Sequence, residues 1–479
     1  MTAHYPVMIP DATGDGNSLD VTAPFDGKLI AKVDTAGSDA VEKALATAYG
    51  LFRDRSTWLP TEARIAILEK TATIMSERVE LLAVEAAREG GKPLPDSRVE
   101  VIRAIDGVRS CIEVVRGEGG KEIPMGLNAA SNGHLAFTSS EPIGVVVAVS
   151  AFNHPLNLII HQVGPAVASG CPVIIKPAED TPLSCFHFVA ILREAGLPEA
   201  WCQSLVVSDL AVASQLVTDS RVGFFSFIGS AAVGWMLRSK LTPGARCALE
   251  HGGAAPVIVG KDADLDDALP LLAKGGFYHA GQVCVSVQRI FAHESVAERL
   301  AEGLAVLAAE MKVGDPTLED TEVGPLIRPR EVERVSQWVD QAVEAGARLM
   351  TGGERISDSC YSPTVLFDPP QDTHVSSQEI FGPVVAVYPY RDIDEAIKRA
   401  NGLPFAFQAA VFCRDIDTAM HCYRQLDASA VMINQHTAFR VDWMPFAGLR
   451  QSGLGVGGIP HTYRDMQIEK MMVLRSKAL

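Results

Sequence analysis

The sequence has no Cys-x-x-Cys pair, no Gly-x-Ser-x-Gly elbow and no Gly-x-x-x-x-Gly-Lys-[Ser/Thr] phosphate loop. Paired-thiol redox chemistry, the serine hydrolases and the P-loop enzymes therefore have no support. Its nine cysteines are an odd, scattered set: Cys111, Cys171, Cys185, Cys202, Cys247, Cys284, Cys360, Cys413 and Cys422. Such usage fits a reducing, cytoplasmic setting better than a disulfide framework. The start, MTAHYPVMIPDATGDGNS, lacks the basic residues and apolar run of a secretory signal. Basic charge is scarce: 42 Lys and Arg against 58 Asp and Glu give a net charge of −16. That surface repels nucleic acid and anionic membranes, so neither is expected as a partner. No metal cluster is visible; His154 and His161 lie near each other without a third ligand in the sequence nearby. Charge of either sign is missing from Pro142 to Ile175. A membrane helix needs about 20 predominantly apolar residues. Asn153, His154, Pro155, Asn157, His161, Gln162, Pro165 and Pro172 interrupt this run. It reads as buried strand, turn, buried helix and buried strand.

What is present is ordinary globular composition, 47% hydrophobic and 21% charged. The length of 479 residues exceeds one compact core and implies two or more domains. Helical periodicity covers about 40–51, 61–88 and 95–116. From residue 143 short apolar runs alternate with helical stretches. Strands are expected at Gly144–Val149, Val173–Ile175, Ser204–Val207 and Gly223–Phe227, a pattern for a parallel sheet buried on both faces. A second α/β series starts at Pro256–Val259 and continues to strands at Val384–Pro389 and Val431–Ile433. The tail Glu469–Leu479 can pair as a strand with another element.

Five segments carry residues suited to chemistry. Cys284 follows Gly281-Gln282-Val283; a thiol nucleophile needs access and a setting such as a helix N-terminus that lowers its pKa, although a single Cys is more often a small buried hydrophobe. Glu250, in Leu249-Glu250-His251-Gly252-Gly253, is a carboxylate at a strand end, suited to activating water or to a solvated turn. Asn153, in Phe152-Asn153-His154-Pro155, can donate to an oxyanion or make an Asx turn. Lys176 and Glu179 follow a strand and can bracket a ribose or form a surface pair. Phe227-Ile228-Gly229-Ser230 stands at a strand-to-helix turn, where free N–H groups attract phosphate. A literal Gly-x-Gly-x-x-Gly at Gly453, Gly455 and Gly458 has no strand before it and is set aside as a decoy.

Together, and with Glu379-Ile380-Phe381-Gly382-Pro383 and Pro445-Phe446-Ala447-Gly448, these segments in this order resemble the aldehyde dehydrogenase superfamily over nearly the whole chain. The resemblance implies an α/β fold: a Rossmann-like cofactor domain (1–119 and 142–250), an α/β catalytic domain (251–435) and a small oligomerisation element (120–141 and 460–479) of a homodimer or homotetramer. It implies that Cys284 attacks an aldehyde, that Asn153 holds the oxyanion and that Glu250 activates water to release the acid. Lys176, Glu179, Phe152, Gly229, Ser230, Glu379 and Phe381 would hold the dinucleotide, and Asn434 matches an asparagine after the last catalytic strand. Glu179 favours NAD over NADP, because a carboxylate repels a 2′-phosphate. The presence of Glu250 argues for hydrolysis rather than transfer to coenzyme A; a coenzyme A-acylating enzyme and a non-catalytic structural relative are the alternatives.

The sequence departs from the family pattern in several places. Many relatives carry Lys at the Gln162 position and Glu at the Gly457 position, which leaves the proton route behind Glu250 to water or His161. His154 stands where relatives place an aromatic ring, similar to phosphonoacetaldehyde-type members. With Arg103, His436 and Arg440 it would form a cationic mouth for a small aldehyde bearing an anionic tail. The competing reading gives Arg103 and Arg440 to ion pairs of the fold.

Overall fold

The computed structural model describes residues 2–479. The apolar run Val145–Val149 lies inside a six-stranded sheet. Across that sheet the strands run Gly453–Leu454, Arg246–Glu250, Val222–Ile228, Val145–Val149, Val173–Lys176 and Cys202–Ser204. All neighbours are parallel except Gly453–Leu454, which pairs antiparallel with Leu249 and Glu250. The last strand falls earlier than the expected Ser204–Val207. Beyond Ser204 the pairing ends in a last hydrogen bond from Leu205 N–H to Ile175 O, and Val206 bridges Thr35 instead.

The charge-free stretch is strand, helix Asn157–Ser169 and strand, with every residue of the helix buried except Leu158. Its apolar character therefore serves the interior. Among the described residues no helix is long and apolar enough to cross a membrane. Helices Thr61–Glu77, Val79–Gly90 and Leu94–Gly117 cover one face. The periodic run at 61–88 is two helices, broken at Arg78 (φ −118°, ψ 20°), so that Met75 and Leu82 reach the same core.

A seven-stranded sheet follows, in the order Arg348–Thr351, Thr364–Phe367, Val384–Tyr390, Val287–His293, Ala255–Val259, Gln408–Phe412 and Ala430–Ile433. Its middle strand, Val287–His293, does not announce itself in the sequence because Gln288 and Arg289 look like surface residues. Both are buried. Gln288 donates to the carbonyls of Val375 and Gln378 and accepts from Ile380 N–H. Arg289 donates to the carbonyls of Ala254, Arg399 and Ala400, the last two at the end of helix Ile393–Ala400. A guanidinium spent on helix-terminal carbonyls satisfies both partners away from water. The tail strand Gln467–Arg475 pairs antiparallel with His134–Pro142, and Glu122–Ile123 completes a three-stranded sheet. Because the six-stranded sheet is almost wholly parallel, the ends of its strands deliver Phe152, Lys176, Gly229 and Glu250 to one edge, where open α/β sheets bind ligands.

Candidate active site

That edge forms one wall of a cleft of about 620 Å³. Cys284, Glu250 and Asn153 line it, together with Phe152, Lys176, Glu179, Gly229, Ser230, Glu379 and Phe381. Arg103, His154 and Arg440 line it too.

The nucleophile loop is built on left-handed backbone. His279 (φ 48°), Ala280 (φ 53°) and Gly281 (φ 69°) turn the chain out of helix Leu265–Phe277. Gly281 is required: a Cβ there would stand 2.1 Å from the Gly382 carbonyl oxygen. Gln282 clamps the loop, accepting from Ile327 N–H (3.0 Å) and donating to Pro325 O (3.2 Å). Cys284 then runs into the strand Val287–His293, not into a helix. The expected helix N-terminus is thus absent, and no helix dipole favours the thiolate. Burial instead pushes the Cys284 thiol up to about 12, opposed by the cation of Arg440 and reinforced by Glu250 and Glu379. At rest the residue is a thiol.

Asn153 Nδ2 donates to Gln282 O at 2.9 Å. The oxyanion donor is therefore tied to the nucleophile loop and retains its second N–H. Glu250 ends its strand with its carboxylate against Gly457, where a Cβ would stand 2.1 Å from Oε1. A side chain at 457 would displace this acid. Burial raises the Glu250 carboxyl above its ordinary range, while Arg440 pulls it down. The turn at Gly229 is fixed from both sides. Gly229 N–H donates to Glu250 O (3.1 Å), and His251 Nδ1–H donates to Gly229 O (2.8 Å). Gly234 makes room for His251, since a Cβ there would lie 2.0 Å from its ring.

Lys176 and Glu179 are 3.3 Å apart at the far end of the cleft. Ser230 precedes helix Ala231–Arg238, leaving the first N–H groups of the helix free beside it. Glu379 accepts from Gly253 N–H (3.1 Å), and Gly252 permits the approach, since a Cβ there would meet Glu379 Oε1 at 1.6 Å. Burial lifts the Glu379 carboxyl to about 8. Phe152 meets Phe381 edge to face, with centroids 5.8 Å apart. This set fits a dinucleotide: an acid and a base for one ribose, helix N–H groups for the diphosphate, a second acid for the other ribose and an aromatic wall. The glycines at 453, 455 and 458 do not line the cleft.

The cationic mouth differs from expectation. Arg103 is a bidentate partner of Asp442 (2.8 and 3.1 Å), so its charge is spent. Asp442 is buried and also accepts from Asn157 (3.1 Å) and His161 Nε2 (2.7 Å). Burial alone would raise its carboxyl, yet the His161 and Arg103 contacts hold it well below the usual range. His161 is thereby committed to Asp442 and is not a cleft residue, so it offers Glu250 no direct proton route. Gln162 donates to Val149 O, Ser226 O and Ser226 Oγ and has no proton to shuttle. His436 does not line the cleft; it packs against Gly275, and burial lowers its imidazole to about 4. Asn434 (φ 52°) brackets the peptide of Cys413 through both side-chain atoms and is structural. Arg440 is different. Among the described residues it has no carboxylate within ion-pair distance, its Nε has no partner, and its guanidinium lies 3.6 Å over the Phe446 ring. Its one hydrogen-bond contact is 3.4 Å, from Nη2 to His161 Nδ1.

Nothing in the local sequence marks Lys92, Glu100 and Asp442, which organise the cleft from behind, or Tyr278, Arg328 and Arg334, which line it. Asp442 sits in an irregular loop with no periodicity to mark it. Lys92 follows a glycine pair at a helix break, an ordinary place for a solvated lysine, yet it is fully buried.

The Aldehyde dehydrogenase family model matches residues 12–472. The 3-sulfolactaldehyde dehydrogenase of Priestia aryabhattai is 37% identical over 457 residues, covering 95% of this chain and 94% of that protein. Aldehyde dehydrogenase 21 from Physcomitrella patens, solved with the reaction product succinate, superposes with a TM-score of 0.95 at 34% identity, covering 99% of each chain. A glyceraldehyde-3-phosphate dehydrogenase from Methanocaldococcus jannaschii, complexed with NADP, gives 0.92 at 33% identity, covering 96% of this chain and all of that one (100%). The chain belongs to the aldehyde dehydrogenase family and is an oxidoreductase acting on aldehydes.

Proposed function

We propose that this enzyme oxidises a small aldehyde with an anionic tail to the free acid, with NAD as the preferred acceptor. The observation that carries this reading is Arg440: a guanidinium that, among the described residues, has no carboxylate within ion-pair distance, in the cleft that holds Cys284, Glu250 and Asn153. The relatives act in the same direction, one named for a sulfonated aldehyde, one for a phosphorylated aldehyde and one solved with a dicarboxylate.

The Cys284 thiol gives up its proton to water in the cleft, and its sulfur bonds to the carbonyl carbon. The resulting oxyanion is met by the free N–H of Asn153 and the backbone N–H of Cys284. Acceptance of the hydride from that carbon is the chemistry a bound dinucleotide supplies, and a thioester remains on Cys284. Glu250 takes a proton from water, the hydroxyl adds to the thioester carbon, and the carbon–sulfur bond breaks. The acid leaves and the thiol is restored.

We assign the six-stranded sheet with residues 1–119 and 142–250 to cofactor binding, and residues 251–435 to the catalytic half. The three-stranded sheet of 120–141 and 460–479 is assigned to pairing of subunits. The half-exposed Met471, Met472, Val473 and Leu474 on its tail strand support that last assignment.

Two measurements test the reading. Arg440→Ala is expected to lower kcat/KM for an anionic aldehyde about 100-fold more than for a neutral one of equal length, the scale of losing one desolvated charge partner. Equal losses for both would remove the anionic tail. Glu179→Gln is expected to raise kcat/KM for NADP about tenfold, because it lifts a like-charge repulsion. An unchanged cofactor ratio would refute the role given to Glu179.

A further inference from the structure

His251 is 2% exposed, and its ring closes over the turn between the strand Val222–Ile228 and the helix Ala231–Arg238. Phe227 and Trp235 flank it, with ring centroids 5.7 and 6.0 Å away. Its Cε1–Nε2 edge faces Gly234, where a Cβ would stand 2.0 Å from Cε1 and 2.6 Å from Nε2. Nε2 is buried and has no partner among the described residues. The one hydrogen bond of the ring joins Nδ1 to Gly229 O at 2.8 Å. Burial lowers the imidazole from its ordinary range, so the ring is neutral at neutral pH and carries one hydrogen. A carbonyl oxygen only accepts, so that hydrogen is on Nδ1 and Nε2 is bare.

A buried ring nitrogen without a partner is unfavourable, and a hydrocarbon side chain would fill the same space without that cost. What the histidine adds is its bond to Gly229, and that bond acts on a peptide with two ends. In a trans peptide the C=O and the following N–H point in opposite directions, and no peptide bond here is cis. With Gly229 O held toward the buried ring, Ser230 N–H is turned to the opposite, open side. Ser230 is exposed and lines the cleft, and among the described residues its N–H has no acceptor. It adds one more donor to the free N–H groups at the start of helix Ala231–Arg238. Gly229 N–H is meanwhile held by Glu250 O at 3.1 Å. Consecutive residues of one strand end thus fix both backbone groups of this glycine.

We infer that His251 is a positioning residue for the diphosphate of the dinucleotide: by holding Gly229 O it aims Ser230 N–H into the cleft as an anion donor. The inference rests on the cofactor binding proposed above and assigns part of its phosphate recognition to a side chain that acts through the backbone. Without the imidazole donor, Gly229 O is left unpaired in a part-buried turn. A glycine has no Cβ to resist rotation of that peptide toward another donor. Rotation carries Ser230 N–H away from the side on which the helix offers its own N–H groups.

The test compares ADP with adenosine, which differ only in the diphosphate, by calorimetric titration of the cofactor-free enzyme. The native enzyme is expected to bind ADP more tightly than adenosine. His251→Leu removes the donor with little change of volume and should weaken ADP about tenfold, the scale of one hydrogen bond to a charged group. Adenosine binding should stay as it is. His251→Asn, whose amide nitrogen can stand where Nδ1 stands, should recover most of the loss. An unchanged ADP affinity in His251→Leu overturns the inference, as does an equal loss for adenosine or an asparagine variant as weak as the leucine one. Failure of the dinucleotide reading itself would look different, because the native enzyme would then bind ADP no better than adenosine. Crystals of the native enzyme grown with ADP give a readout that does not depend on the folding of any variant. A phosphate oxygen about 2.9 Å from Ser230 N is expected; phosphates bound away from Ser230 would sink the assignment.

Discussion

Cys284→Ala is expected to abolish turnover, with a fall of roughly 10⁴-fold or more, the scale for removing the nucleophile on which every later step of the proposed mechanism depends. Binding of the dinucleotide should persist, because the Lys176, Glu179, Ser230 and Glu379 positions are untouched. Fluorescence titration with cofactor and stopped-flow absorbance at the reduced nicotinamide separate the two. Residual turnover above a few per cent would end the thioester mechanism. The resting state of this sulfur matters to the experiment. With burial pushing it up to about 12, the thiolate is a minor form at pH 7. Alkylation of Cys284 in the cofactor-free enzyme should accordingly be slow at neutral pH and rise steeply with alkali.

Glu250→Gln should separate the two halves of the reaction. The first half does not need this carboxylate as a water-activating base, so one equivalent of reduced cofactor per site is expected as a burst. Steady turnover should then fall by about 10²- to 10⁴-fold, the usual contribution of a general base. Intact-mass measurement of the quenched protein should find the acyl group on residue 284. If coenzyme A restored turnover in this variant, the acylating reading would displace hydrolysis. The pH dependence has a definite sign. Burial raises the Glu250 carboxyl, so the active base form is lost on acidification at a pH above the ordinary carboxylate value of about 4.3. Deacylation should decline along that limb in the native enzyme, and Glu250→Gln should flatten it.

The parts of the molecule that the sequence made legible share one property: local composition and tertiary role agree. The strand Val145–Val149 is apolar because both faces are covered, and the turn at Gly229-Ser230 is small because His251 and Glu250 close around it. Where the two disagree, the sequence misled. Arg289 and Gln288 read as solvent-facing but run through the middle of a sheet, their polarity absorbed by backbone groups from distant segments. Arg103 and Arg440 are indistinguishable as letters. Only the position of Asp442, more than 300 residues from Arg103, neutralises one, while the other has no carboxylate within ion-pair distance among the described residues. The helix expected beside Cys284 fails for a related reason. Its Gly281 serves the close approach of Gly382, a contact no local pattern encodes. Lys92 shows the limit most plainly, since its burial depends on Glu100 and His154 arriving from two other elements.

The cross-links between the two large sheets have a consequence for traffic. Asn153 is fastened to Gln282, Arg328 to Asp180, Lys274 to Asp96 and Arg103 to Asp442, so stitches lie around the cleft instead of along one seam. A clamshell opening about any single hinge would have to tear several of them at once. Entry of a ligand that leaves these contacts whole is therefore favoured over a swing of the two halves apart.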